Sequence, residues 1–119
     1  MQVMRAEALK GHLEGMLLAV LRDKPLHGYA VLEILRERSD GQISLPSGTV
    51  YPALHRLEAM GLVASSWSQV GGRKRRVYEL TDTGAWALLE HKRSWQTMAQ
   101  AVSSVMNVNP APQRLENPS

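Results

Sequence analysis

Apolar residues at Leu9, Leu13, Met16, Leu17, Val20 and Leu21 recur at intervals of three and four, the spacing of one helix face, and Pro25 marks a stop. The pattern predicts a first helix over roughly 6–23. Ala30, Val31, Ile34 and Leu35 repeat it, with Glu33, Arg36, Glu37 and Arg38 on the other side, which predicts a second helix over 27–38. Val50, Leu54 and Leu57 define the inner face of a third, from 46–48 to 60. Pro46 and Ser47 suit its entry, Ser47 as the cap, and Gly61 suits its end. Pro52 lacks an N–H, a loss tolerable in the first turn and a half at the cost of a slight distortion. Beyond it the period changes to two. Val63, Ser65 and Trp67 alternate in a strand over 62–68, Val70-Gly71-Gly72-Arg73 makes a turn, and 75–80 returns as a second strand. Thr81 then caps a helix over 82–106, with Asp82 near its positive end. The proline-rich stretch 107–119 reads as a disordered tail.

Helix, helix, helix, hairpin, long helix is the order of a winged helix-turn-helix. The expected fold is therefore mainly α: a winged domain over 1–81, then a long C-terminal dimerisation helix. In such a fold the third helix faces the major groove and the hairpin tip reaches the flanking backbone or minor groove. The residues left outside its apolar face are Ser47, Gly48, Thr49, Tyr51, Pro52, His55, Arg56 and Glu58. Of these, Ser47, Thr49, Tyr51, His55 and Arg56 supply hydroxyls, an imidazole and a guanidinium that bond phosphates and base edges.

The charge distribution sharpens this picture. Residues 1–40 carry six basic and six acidic side chains, and 81–119 carry three of each, so the net charge of +3 resides entirely in 41–80. Arg73, Lys74, Arg75 and Arg76 are consecutive at the hairpin tip, the footprint of a polyanion-binding face. The absence of cysteine excludes disulfides, thiolate metal sites and cysteine nucleophiles. His12, His27, His55 and His91 show no metal-ligand spacing, and no nucleophile elbow, P-loop or dinucleotide fingerprint occurs. Gly71-Gly72 precedes a strand, not a helix, and so is no phosphate loop. Neither a cofactor, a metal nor an enzymatic activity is expected. The longest apolar run, Met16 to Leu21, is too short to span a membrane, and no signal peptide is evident, so a cytoplasmic location is expected.

The fourth helix repeats Ala85, Leu88, Lys92, Trp95, Ala99, Val102 and Met106 at alternating spacings of three and four. One small core cannot cover such a stripe and a second edge at Trp86 and Leu89. A two-fold homodimer is the natural remedy, with Leu88, Trp95, Ala99, Val102 and Met106 at its interface. Trp67 and Trp86 are expected to pack between the wing and this helix.

Six stretches together resemble the PadR family of bacterial transcriptional regulators. They are Leu9-Lys10-Gly11-His12-Leu13-Glu14, Pro25-Leu26-His27-Gly28-Tyr29, Gly48-Thr49-Val50-Tyr51-Pro52-Ala53-Leu54, Arg56-Leu57-Glu58 with Gly61-Leu62, Gly71-Gly72-Arg73-Lys74-Arg75-Arg76, and Tyr78-Glu79-Leu80-Thr81-Asp82-Thr83-Gly84. Departures are Pro46-Ser47, where polar or acidic residues are common, and Val77, where many relatives carry an aromatic. The resemblance implies a homodimeric repressor on a near-palindromic operator in double-stranded DNA, of the short form with one C-terminal helix. It also implies that Trp95, following Ser94, stands where drug-sensing relatives line a pore at the dimer centre. Trp95, Met98, Leu13 and Met16 would then hold a small planar aromatic effector. The alternative is that Trp95 simply anchors the interface. A winged-helix module that binds protein rather than DNA is the competing function, and such modules usually lose the basic wing that is intact here.

Overall fold

The computed structural model describes residues 4–109. A short 3₁₀ turn, Ala6–Leu9, is followed by α1 (Leu13–Leu21), β1 (Leu26–His27), α2 (Gly28–Arg38), α3 (Ser47–Ala59), the hairpin β2 (Val63–Val70) and β3 (Arg73–Leu80), and α4 (Asp82–Met106). This is a winged helix with a long C-terminal helix, as the element order predicts. The continuous helix expected over 6–23 is broken, because Gly11 adopts φ +91°, in the left-handed region that glycine tolerates. Leu26 and His27, directly ahead of α2, add a third antiparallel strand, giving the sheet order β1-β3-β2, with Leu26 opposite Tyr78 and His27 opposite Val77.

His27 caps α2 through its ring: Nδ1 accepts from the Ala30 N–H at 3.3 Å. The expected cap of α3 is displaced by one residue. Extended Pro46 occupies the N-cap, its carbonyl accepting from the N–H groups of Thr49 (3.0 Å) and Val50 (3.2 Å), and Ser47 is the first helical residue with no capping bond. Pro52 is accommodated within α3.

The core forms where α1, α2 and α3 meet. Leu17, Leu18, Val31, Val50, Ala53, Leu54 and Leu57 are completely buried, each of the larger ones contributing about 1.5–3 kcal/mol. The 50, 53, 54, 57 spacing puts all four α3 residues on one face, so the opposite face is left to solvent. Tyr78 and Val63 extend the core onto the wing, and Leu88 closes it from α4. Leu88, expected at a dimer interface, is thus already buried within its own chain. Tryptophans 67 and 86 also depart from expectation. Neither is packed between wing and helix, Trp67 being 60% and Trp86 73% exposed.

The junction between wing and α4 is tightly fitted. The Thr81 hydroxyl donates to the Gly61 carbonyl (2.7 Å) and accepts from the Gly84 N–H (3.0 Å). The Leu62 carbonyl, which accepts from the Thr81 N–H at 3.1 Å, lies where a side chain on Gly84 would have to go. Farther along, α4 crosses α1 where Gly15 faces His91. Past that crossing Trp95, Met98, Val102, Val105 and Met106 are exposed. Asn107, at φ 60°, ends the helix. The expected disordered tail lies, from residue 110 on, outside the described residues. Among the described residues, no helix is long and apolar enough to cross a membrane.

Two glycine substitutions distinguish crowding from open space. Gly84→Ala must push α4 off a backbone carbonyl and is expected to lower unfolding free energy by about 1–3 kcal/mol in urea titration. Gly48→Ala, in the first turn of α3 with nothing near its added methyl, is expected to leave stability equal or raise it by about 0.4–1 kcal/mol.

Candidate nucleic-acid interface

The outward face of α3 carries Ser47, Gly48, Pro52, His55 and Ala59, all exposed. The two flanks of this stripe look in different directions. Thr49 and Arg56 border the N-terminal segment, where they line a groove with Leu9, Leu13 and Leu45, and Arg56 Nε lies 3.8 Å from the Glu14 carboxylate. Tyr51 and Glu58 border the wing. Tyr51 is half-buried rather than free, its ring occupying the space beside Gly28 where a side chain would clash. The five α3 residues expected to touch DNA thus divide into two that point outward, Ser47 and His55, and three that are partly engaged.

The wing is a hairpin of two eight-residue strands in continuous register from Val63 opposite Leu80 to Val70 opposite Arg73. Gly71 (φ 59°) and Gly72 (φ 77°) close it with a two-residue turn whose positive φ angles match the twist of the strands. The four tip cations differ in what holds them. Lys74 Nζ and the Arg76 guanidinium lie 5.6 and 5.1 Å from the centre of the Trp67 ring, a cation–π platform. Arg76 also donates from Nε to Ser65 Oγ at 2.9 Å, and Ser65 donates to Glu58 Oε2 at 2.6 Å. A second guanidinium nitrogen of Arg76 stands 3.7 Å from the same carboxylate oxygen. Arg75 reaches back to His27, its terminal nitrogen 3.0 Å from Nε2. Arg73 and Lys74 are exposed at the tip.

Glu58, in the sequence the lone acid on the side of α3 expected to face DNA, is therefore the anchor that ties α3 to the wing. Tyr78 lies buried behind this link. Burial, and then the neighbouring Glu58 carboxylate, push its hydroxyl above the ordinary tyrosine range, with Arg76 opposing. At neutral pH it remains a protonated phenol able to donate.

Between β3, the start of α2 and Tyr51 of α3 the surface opens into a groove of about 610 Å³, lined by His27, Tyr29, Tyr51, Tyr78 and the four tip cations. Phenols, an imidazole and guanidinium groups without a carboxylate suit a phosphate polyanion. Among the described residues, no grouping of histidine and carboxylates could hold a metal ion. His27 and Tyr29 line this groove, and Ser65 and Trp67 hold Arg76 beside it; sequence reasoning assigns none of them to the interface. Only His27 carries a legible signal, as a polar residue directly before a helix start.

On the far side of the molecule the Trp95 indole meets the His12 ring edge-on, centroids 5.1 Å apart at 76°. It remains 51% exposed. Met98 is exposed on the same helix, whereas Leu13 and Met16 are partly buried against the core.

The fold recurs in proteins of known class. A PadR family transcriptional regulator from Eggerthella lenta superposes with a TM-score of 0.75 at 33% identity, over 87% of this chain and 88% of that one. A PadR family transcription regulator from Clostridium difficile does so with a TM-score of 0.71 at 31% identity, over 81% and 99% of the two chains. A transcriptional regulator of Mycobacterium tuberculosis is 41% identical over 80 residues, 67% of this chain and 72% of that protein. The profile of the transcriptional regulator PadR-like family matches residues 17–90, from the first buried leucines of α1 through the wing and into α4, and the chain accordingly belongs to the PadR-like family of transcriptional regulators.

Proposed function

We propose that this protein is a homodimeric DNA-binding repressor, acting in the cytoplasm without enzymatic activity, that occupies a near-palindromic operator. The observation that carries the reading is the union of two surfaces. The outward stripe of α3, with Ser47 and His55, and the cationic tip of the wing are joined by the Glu58–Ser65–Arg76 link. α3 supplies the base-reading groups, with Thr49, Tyr51 and Arg56 at its margins, and Arg73 and Lys74 neutralise backbone phosphates. Arg75 takes a phosphate beside the wing. Arg76, held by Ser65 and stacked on Trp67, sets the wing angle and adds positive potential. A protein-binding winged helix would have no use for four consecutive cations at the wing tip.

The second subunit covers the apolar C-terminal half of α4. Trp95, Ala99, Val102 and Met106 lie on one side of that helix, beyond the reach of the subunit's own core. Linking two winged domains sets their α3 helices against half-sites one helical turn apart, about 34–36 Å.

Trp95 gives this interface a further use. Half exposed beside His12, the indole offers surface to a planar aromatic effector, with Met98, Leu13 and Met16 as its further contacts. Such a ligand releases DNA only if it prefers a dimer geometry in which the two α3 helices no longer match the half-sites.

Three outcomes are expected. Arg73→Gln with Lys74→Gln should weaken binding to every duplex and lower the slope of log affinity against log salt by about 0.9 for each phosphate no longer neutralised. Arg76→Gln should change that slope less. Unchanged affinity in the double variant would remove the wing from the interface. Val102→Glu, a change at an exposed position, should leave the unfolding transition intact while converting the dimer to monomers in sedimentation. A dimer that persists would place the interface elsewhere. Planar aromatic compounds should quench tryptophan fluorescence in the wild type and not in Trp95→Ala. If no compound of a varied panel quenches, Trp95 is an interface anchor alone.

A further inference from the structure

His27 has two close neighbours that a single neutral imidazole cannot engage as two hydrogen bonds. Nδ1 lies 3.3 Å from the Ala30 N–H, a donor, and Nε2 lies 3.0 Å from a terminal nitrogen of Arg75, which also can only donate. A neutral ring carries one N–H. If Nδ1 accepts and caps α2, Nε2 bears the proton and points it at a guanidinium. If Nε2 accepts from Arg75, Nδ1 bears the proton and the cap is gone. A doubly protonated ring satisfies neither. The place between Nε2 and Arg75 lacks a strong acceptor, and no carboxylate lines the groove on which it opens. The neighbours are the other tip cations and the phenols of Tyr29, Tyr51 and Tyr78, and the nearby Glu58 is already engaged by Ser65 and Arg76.

We propose that the groove between the start of α2 and β3 seats one phosphodiester of the DNA backbone, bound jointly by the Nε2–H of His27 and the guanidinium of Arg75. An anionic oxygen placed there accepts from both donors. It relieves the donor–donor approach, leaves Nδ1 free to cap α2, and fixes the ring in one tautomer. The N-terminal end of α2, which borders the groove at Gly28 and Tyr29, adds its positive dipole end to the same anion. The seat is continuous with Arg73 and Lys74 at the wing tip, so a strand tracking along the wing passes over it. His27 and Arg75 thus fix the register of the duplex without reading its sequence. This deepens the DNA-binding reading and rests on it.

The test is ¹⁵N spectroscopy of histidine-labelled full-length protein, free and with a mixed-sequence duplex at low salt, with the His27 signals assigned through His27→Asn. The two tautomers should exchange in the free protein. With duplex bound, Nε2 should be protonated and Nδ1 not. Asn is a good N-cap, so His27→Asn keeps the fold and gives up only the bond to phosphate. Its affinity should fall about 3- to 10-fold per half-site, equally on every sequence and with the salt slope unchanged. Arg75→Gln should lower the slope by about one per subunit. An identical tautomer ratio in free and bound protein, or His27→Asn binding as tightly as wild type, overturns the proposal while leaving DNA binding intact. A tautomer shift produced by inorganic phosphate at matched ionic strength and not by duplex would assign the seat to a free anion and overturn the backbone assignment. A wild type that binds no duplex at all overturns the DNA reading itself, and the phosphodiester assignment with it.

Discussion

Ser65 stands between an acid on α3 and a guanidinium on β3, and the whole candidate interface depends on that short chain of hydrogen bonds. A two-stranded hairpin is marginal by itself, and its tip has no reason to hold a fixed direction. Here its base is held twice. The two-residue strand β1 pairs with β3 on one edge. On the other side Glu58 accepts from Ser65, which accepts from Arg76, while Arg76 lies over Trp67. Because Glu58 lies one residue past Leu57, which is completely buried, the link runs from the core through α3 into the wing without a flexible segment. The distance between the outward face of α3 and the cationic tip is thereby a property of the fold rather than of a mobile loop. The partners are partly exposed, so each bond contributes modestly, and the value of the link is positional rather than thermodynamic.

Most of this architecture is legible in the sequence. Residues 50, 54 and 57 announce the buried face of α3. The change of period after Gly61, with Gly71-Gly72 between two alternating runs, announces the hairpin, and Thr81-Asp82 announces α4. What escapes has a common physical character. β1 is two residues long and carries no period of its own, since its partner lies about fifty positions away. The break in the first helix hinges on the φ of Gly11, in a stretch whose apolar spacing is helical on both sides. Leu88 falls on the same stripe as Trp95 and Val102, and only the crossing with α1 shows that the stripe passes from the subunit's own core to open surface. The basic run is visible as four cations. The different tethers of Arg75 and Arg76 depend on His27, Ser65 and Glu58, brought close only by the fold.

The two halves of α4 give the molecule a simple division of labour. The first half, fixed by Gly84 against Leu62 and by Leu88 in the core, makes the winged domain and the helix one body. The second half projects an apolar side with Trp95 at its root. A change in how two such helices cross would move two rigid interfaces relative to one another and leave each internally unaltered. In the proposed dimer, regulation would concern the geometry between subunits, not the structure of the reading head.

The most direct measurement is hydroxyl-radical footprinting of purified protein on the DNA upstream of its own gene. The proposed dimer, with two reading heads joined by α4, predicts two protected patches related by an inverted repeat, with centres about 34–36 Å apart along the duplex and protection extending outward where the wings lie. A single patch, uniform protection without a repeat, or no protection under low-salt conditions would contradict it.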